Sequence, residues 1–170
     1  MPRSRSRVVR TINASIEGAT PARDVVMLPL DVRRAIIAHA RRERPRECCG
    51  LLVGRGNLVS FAVAATNVEA SETRFRLDDR EHLTLRRVLR AFQPPLEIVG
   101  VYHSHPKGEA WPSETDIAEA AYPAWLYVIV GLKTTRAAVG AFRLRNGRIL
   151  RVTLRAKERD GLRTVGRRKA

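Results

Sequence analysis

One α/β domain, a mixed β-sheet flanked by helices, is the fold class the sequence predicts, and three observations predict it. Short runs rich in β-branched and aromatic residues are interspersed with two longer stretches whose apolar residues recur at helical spacing. Turn-forming residues punctuate these runs closely enough to join several of them as hairpins. With 170 residues, 44% of them apolar, the chain can bury one core of ordinary size.

The elements follow in order. "VVMLP" (Val25 to Pro29) reads as a short strand. "VRRAIIAHARRE" then spaces Val32, Ala35, Ile36 and Ala40 along one helical face, with Asp31 as the expected N-cap and His39 as a surface or boundary residue. Pro45 follows this helix. "CCGLLVG" (Cys48 to Gly54), a turn at "RGN" and "LVSFAVAAT" (Leu58 to Thr66) read as a hairpin. "TRFRL" (Thr73 to Leu77) alternates and is expected to be a strand. "DDREHLTLRRVLRAF" reads as a helix whose apolar residues are Leu83, Leu85, Val88, Leu89 and Phe92, with His82 exposed; Pro94-Pro95 stops it. "EIVGVY" (Glu97 to Tyr102) is a buried strand, and "KGEAWPSETDIAEAAY" is a loop running into a helix. "WLYVIVGL", "AAVGAFRLR" and, after the Asn146-Gly147 turn signal, "RILRVTLR" complete the order β-α-β-β-β-α-β-α-β-β-β.

Composition narrows the function. No apolar segment approaches the ~20 residues of a membrane span, and "MPRSRSRVVR" lacks the apolar core of a signal peptide, so a soluble, cytoplasmic protein is expected. The net charge of +15 is concentrated toward the C-terminus, where residues 143–170 hold eleven basic residues against Glu158 and Asp160. Such basicity attracts acidic partners. Without aromatic interleaving or a nucleic-acid motif, direct nucleic-acid binding is disfavoured. The domain is expected over 25–155, between a basic N-terminal segment (1–24) and a basic tail (156–170). Cys48 and Cys49 are adjacent and have no distant partner. That spacing excludes a disulfide framework and a C-x-x-C metal or redox motif, and buried thiols are the ordinary reading.

The chemistry gathers around "VGVYHSHP". Side chains alternate along a strand, so His103 and His105 leave the same face with Ser104 between them. Taken alone, H-x-H is more often a surface turn than a metal site. Ser113 and Asp116 further on form an S-x-x-[DE] capping box, and a serine there needs no chemistry. A helix start also keeps an aspartate ionised. His103, His105 and Asp116 together make a two-nitrogen, one-oxygen set, and three protein ligands with an open position is the arrangement of a catalytic zinc site. The residues alone do not choose a proton carrier among Glu47, Glu97, Glu109 and Glu114.

The stretch "HSHPKGEAWPSETD", with "RPRECCGLLVG" upstream, resembles the signature of the JAMM, or MPN-domain, metalloprotease family, from about Val25 to about Thr153. The resemblance implies a curved, mixed sheet flanked by helices in a three-layer, cytidine-deaminase-like architecture. It implies one zinc ion held by His103, His105 and Asp116, with Glu47 as general acid/base and Ser113 stabilising the oxyanion. Little chain separates Asp116 from the strand near Trp125, so the sequence is similar to the compact bacterial members rather than to deubiquitinases with inserted segments. That likeness implies a peptidase acting at the Gly-Gly C-terminal tail of a small ubiquitin-like sulfur-carrier protein, and it is compatible with a homodimer. The alternatives are removal of such a protein from lysines, as a deubiquitinase does, or a non-catalytic MPN scaffold with a basic tail that binds protein or nucleic acid.

Overall fold

A computed structural model describes residues 24–156. The basic segments expected over 1–24 and 156–170 lie, apart from Asp24 and Ala156, outside the described residues. In chain order the elements are β1 (Val25–Met27), α1 (Leu30–Glu43), β2 (Cys49–Arg55), β3 (Leu58–Ala65), α2 (Asp79–Leu89), β4 (Glu97–His105), α3 (Glu114–Ala118), β5 (Leu126–Gly131), β6 (Ala138–Arg145), β7 (Arg148–Arg151) and β8 (Thr153–Arg155).

The strands form one mixed sheet in the order β7-β6-β5-β4-β2-β3-β1-β8. β4 and β5 run parallel, as do β1 with β3 and β1 with β8, and the other pairs are antiparallel. Turn chemistry sets the β6–β7 hairpin. Asn146 and Gly147 have φ of 49° and 73°, the two positive angles a two-residue type I′ turn requires.

Each face of the sheet carries its own core. On one face α1 lays Val32, Ile36 and Ala40 against Leu52, Val59, Tyr102, Leu126, Val128 and Val130. On the other, Val101, Tyr127, Ile129, Phe142 and Leu144 pack under Phe75, Leu77, Ala120 and Trp125. α2 lies on this second face, where His82 meets the rings of Tyr122 and Trp125 edge-on. The result is the helix–sheet–helix layering expected. β4 is central to both cores: Val101, His103 and His105 point to the second face, while Tyr102 and Ser104 point to the α1 face.

Several local expectations need correction. α1 begins at Leu30 behind Pro29, and no side chain caps it; Asp31 sits in the first turn, where its charge suits the helix dipole. "TRFRL" forms no strand: an isolated bridge, Asn67↔Leu77, and a few hydrogen bonds to Asn67 and Val68 tie it to the preceding turn. Its alternation persists nonetheless, with Phe75 and Leu77 facing the core. α2 ends at Leu89, and Leu83, Val88 and Phe92 are exposed rather than core. The last run splits at the buried Val152, whose N–H donates to the Ala141 carbonyl (2.8 Å). β7 therefore pairs with β6, and β8 crosses to β1. His39 is buried, its Nδ1 2.9 Å from the Tyr102 hydroxyl. His82 is half-buried, its Nε2 enclosed with no hydrogen-bond partner.

Candidate metal and hydrolytic site

β4 carries both histidines to the end of the sheet. His103 is fully buried, in register with Cys49 on β2 and Ile129 on β5, and His105 lies beside Gly131. Asp116 arrives from the first turn of α3. Its carboxylate accepts from the Ser113 N–H (2.7 Å) while Ser113 Oγ accepts from the Asp116 N–H (3.1 Å), so the capping box is complete. The same carboxylate faces both imidazoles, with Oδ1 3.1 Å from His103 Nε2 and Oδ2 3.3 Å from His105 Nε2. The two Nε2 atoms are 3.1 Å apart. One ligand atom from each of the three side chains falls within 4.8 Å of the others, a grouping that could hold a metal ion. The carboxylate that closes the helix cap is thus the one that faces both imidazoles.

The shell around the trio fixes its orientation. His105 Nδ1 is 3.0 Å from the Glu109 carbonyl, a contact that makes Nδ1 a donor and fixes the ring with Nε2 on the side of Asp116. Glu109 can reach it because the 108–111 loop rests on the bare backbone of Gly131 and Gly140. Phe75 stacks on the His103 ring, centroids 4.3 Å apart and planes 20° from parallel. On the other face, Ser104 Oγ accepts from the Cys48 N–H (2.9 Å), and Ser104 N–H donates to the Cys48 carbonyl (3.1 Å). β4 is thereby pinned to the turn that carries Glu47.

Glu47 is buried at the start of β2 and borders a cavity of about 390 Å³ shared with Glu43, Arg46 and Asn67. Burial pushes its carboxyl up to about 8; the charge on His105 opposes this and that on Asp116 adds to it. The pairing of Cys49 with His103 and the Ser104–Cys48 bonds set Glu47 at the end of the sheet from which His105 projects. Desolvation lowers His103 despite its bond to Asp116. For His105, desolvation is outweighed by the hydrogen bond and charge of Asp116, and its pKa is raised. Asp116 is desolvated too, but hydrogen bonds from both histidines hold it far below the usual carboxylate range.

Of the residues named from the sequence, the structure brings His103, His105, Asp116 and Ser113 together, and sets Glu47 in the turn that Ser104 bonds to β4. Ser113 Oγ lies 2.7 Å from Asp116 Oδ2, at the rim of the trio. Sequence reasoning missed Phe75, Ser104 and the Glu109 carbonyl. Only Phe75 left a signal, as an inward position of an alternating segment. Trp111 is a packing residue, its ring edge-on to Phe142 at 5.1 Å. Burial pushes the thiols of Cys48 and Cys49 up to about 11 and about 12, so neither is a nucleophile at neutral pH.

Comparison with known proteins shows the family to which the fold belongs. The chain is 36% identical over 129 residues to the CysO-cysteine peptidase of Mycobacterium tuberculosis, covering 74% of this chain and 86% of that one. It is 33% identical over 109 residues to the desampylase of Haloferax volcanii, covering 60% and 77%. A Desulfitobacterium hafniense protein of known solution structure superimposes with a TM-score of 0.71 at 28% identity, covering 79% of this chain and 94% of that one. Residues 29–145 match the family described as prokaryotic homologs of the JAB domain, and with the mixed sheet, the paired histidines and Asp116 in place, the chain belongs to that family.

Proposed function

We propose that this chain is a zinc-dependent peptidase that hydrolyses the bond following the Gly-Gly C-terminal tail of a small ubiquitin-like sulfur-carrier protein. The observation that carries the reading is the convergence of His103, His105 and Asp116 beside the buried carboxyl of Glu47. Two ligand atoms each about 2.0–2.1 Å from a tetrahedral ion stand roughly 3.3 Å apart. The two Nε2 atoms, 3.1 Å apart, fit that spacing, and Asp116 offers Oδ1 at 3.1 Å from His103 and Oδ2 at 3.3 Å from His105, of which such an ion would take one. When bound, zinc supplies a Lewis acid and brings the pKa of a water from 15.7 to about 7.

The chain's own groups supply the rest. Glu47 can take a proton from the attacking water and pass it to the leaving nitrogen, being the buried carboxyl on the turn that Ser104 pins to the histidine strand. Ser113 Oγ–H donates to Asp116 Oδ2, and in this reading it turns from that oxygen to donate to the oxyanion. No covalent intermediate is required. A cleft of about 330 Å³ lined by Thr73 to Leu77 reaches Asp116 and suits an extended tail with little side-chain bulk. The names of the two relatives, a CysO-cysteine peptidase and a desampylase, support the substrate class. The excess positive charge favours an acidic carrier.

The test incubates zinc-loaded protein with a carrier ending in Gly-Gly and extended by one cysteine, and in parallel with a carrier–lysine conjugate. Intact masses are read in both, with Glu47→Ala as control. Loss of the cysteine, abolished in the variant, is the expected result. Cleavage of the lysine conjugate alone would move the activity to isopeptides. Cleavage of neither, with zinc bound, would leave a scaffold.

A further inference from the structure

We propose that Asn67 is a positioning residue of this hydrolytic site, its carboxamide fastening the backbone of Glu47 to the segment that stacks Phe75 on His103. The proposal rests on the functional reading above. Asn67 lies just past the end of β3 and uses its whole hydrogen-bonding capacity of two donors and two acceptor sites. Nδ2 donates to the Glu47 carbonyl (3.0 Å) and to the Arg74 carbonyl (3.0 Å). Oδ1 accepts from the N–H of Glu69 (3.1 Å) and of Arg76 (3.1 Å). Both nitrogen partners are carbonyls and both oxygen partners are N–H groups, so the amide has one orientation.

A turn asparagine has an ordinary use, which is to bond its own backbone two residues on. The bond to Glu69 is of that kind. The other three are not, because they reach across twenty, seven and nine residues to two separate segments. One of those segments is the turn whose carboxyl the mechanism uses. The other carries Phe75 between the two residues that Asn67 grips, with its ring on His103. Glu47 is held on its other sides as well: its N–H donates to the Ser71 carbonyl (2.8 Å), and the next N–H, of Cys48, donates to Ser104 Oγ. Asn67 therefore joins the proton carrier and the ring covering a metal ligand through one planar group. A displacement of about 1 Å in such a constellation costs up to roughly 100-fold in rate.

Three variants test it. Asn67→Ala removes all four bonds. Asn67→Asp keeps the acceptor half and loses the donors to Glu47 and Arg74. Thr66→Val is the control: it removes a hydrogen bond from Thr66 Oγ1 to Glu81 (2.7 Å) in the same turn without touching either segment. With zinc content kept at one per chain, both Asn67 variants are expected to lose kcat by roughly 10- to 100-fold while KM changes by less than about threefold. Thr66→Val is expected to lower thermal stability and leave kcat unchanged. NMR of the zinc-free chain supplies a readout independent of turnover. The His103 ring protons, shifted upfield by Phe75 in the wild type, should move downfield in Asn67→Ala and stay in place in Thr66→Val. An unchanged His103 shift in Asn67→Ala overturns the proposal, as does wild-type kcat in Asn67→Asp or an equal kcat loss in Thr66→Val. If the wild type cleaves no carrier, the functional reading falls, and the His103 shift still decides whether Asn67 holds Phe75 in place.

Discussion

Replacing Gly131 by alanine should weaken metal binding without touching a ligand. Gly131 sits beside His105 on β5, and the 108–111 loop lies directly on it. A Cβ at this position would come within 2.5 Å of the Glu109 carbonyl carbon and closer still to the Ala110 nitrogen. Ordinary contact begins at 3.4 Å, so the loop must withdraw by roughly 1 Å. That carbonyl holds His105 Nδ1 at 3.0 Å. Withdrawn by the same amount, it stands about 4 Å away, and the hydrogen bond is lost. Groups that orient a ligating imidazole are worth about 10- to 100-fold in metal affinity, or roughly 1.4 to 2.8 kcal/mol. Zinc affinity is measured by competition with a chromophoric chelator. Ile36→Val, a core change on the opposite face, controls for lost stability. A folded Gly131→Ala protein that binds zinc within twofold of wild type would refute the chain of reasoning from loop seat to histidine orientation.

Other outcomes follow from the same geometry. Ser113→Ala should cost about 1 kcal/mol of stability through the lost helix cap; if Ser113 also serves the oxyanion, kcat falls by a further ~100- to 1,000-fold at unchanged zinc content, and a loss of stability alone would restrict it to capping. His39 is held below its usual pKa by burial, with Arg42 adding to the shift and Glu43 opposing it. As the pH drops, the unfolded chain takes up its proton first. The stability that neutral His39 confers is therefore complete above about 6.5 and declines as the pH falls from there through the folded pKa. Urea melts between pH 5 and 8 should show a shallower decline in His39→Gln than in the wild type. Cys48 and Cys49 should resist alkylation at pH 8 until the chain is unfolded, which mass spectrometry would read directly.

The parts of the fold written in periodicity were legible in advance. Each expected strand from Cys48 to Arg145, except "TRFRL", corresponds to an observed one, because burial on one or both faces leaves its mark on alternation. "TRFRL" has the alternation without the ladder, since Asn67 and its neighbours supply the hydrogen bonds that a partner strand would have given. α2 misled in the opposite sense: its apolar residues follow a helical period, yet Leu83 and Val88 face outward, and local sequence does not say which face meets the sheet. The site divided in the same way. His103, His105, Ser113 and Asp116 are close in sequence and carry their own spacing. Glu47 needed the family resemblance to stand out among four glutamates. The groups that orient these residues were invisible, because a backbone carbonyl such as that of Glu109 has no identity in a sequence, and the reach of Asn67 across twenty residues is a property of the folded chain alone.

β4 presents Tyr102 and Ser104 to one layer and His103 and His105 to the other, and that division makes its length as consequential as its composition. Adding or removing one residue between Gly100 and Tyr102, past the irregularity at Val99, would rotate every later side chain to the opposite face. Both imidazoles would then enter the layer beneath α1, and the tyrosine would fall where the ligands now stand. Single-residue insertions and deletions should consequently abolish folding and metal uptake together from Gly100 onward, yet be absorbed in the turn around Pro94-Pro95 that precedes the strand. Sequence drift in this protein can exchange one apolar side chain of β4 for another on the same face, but from Gly100 to His105 it cannot change their count.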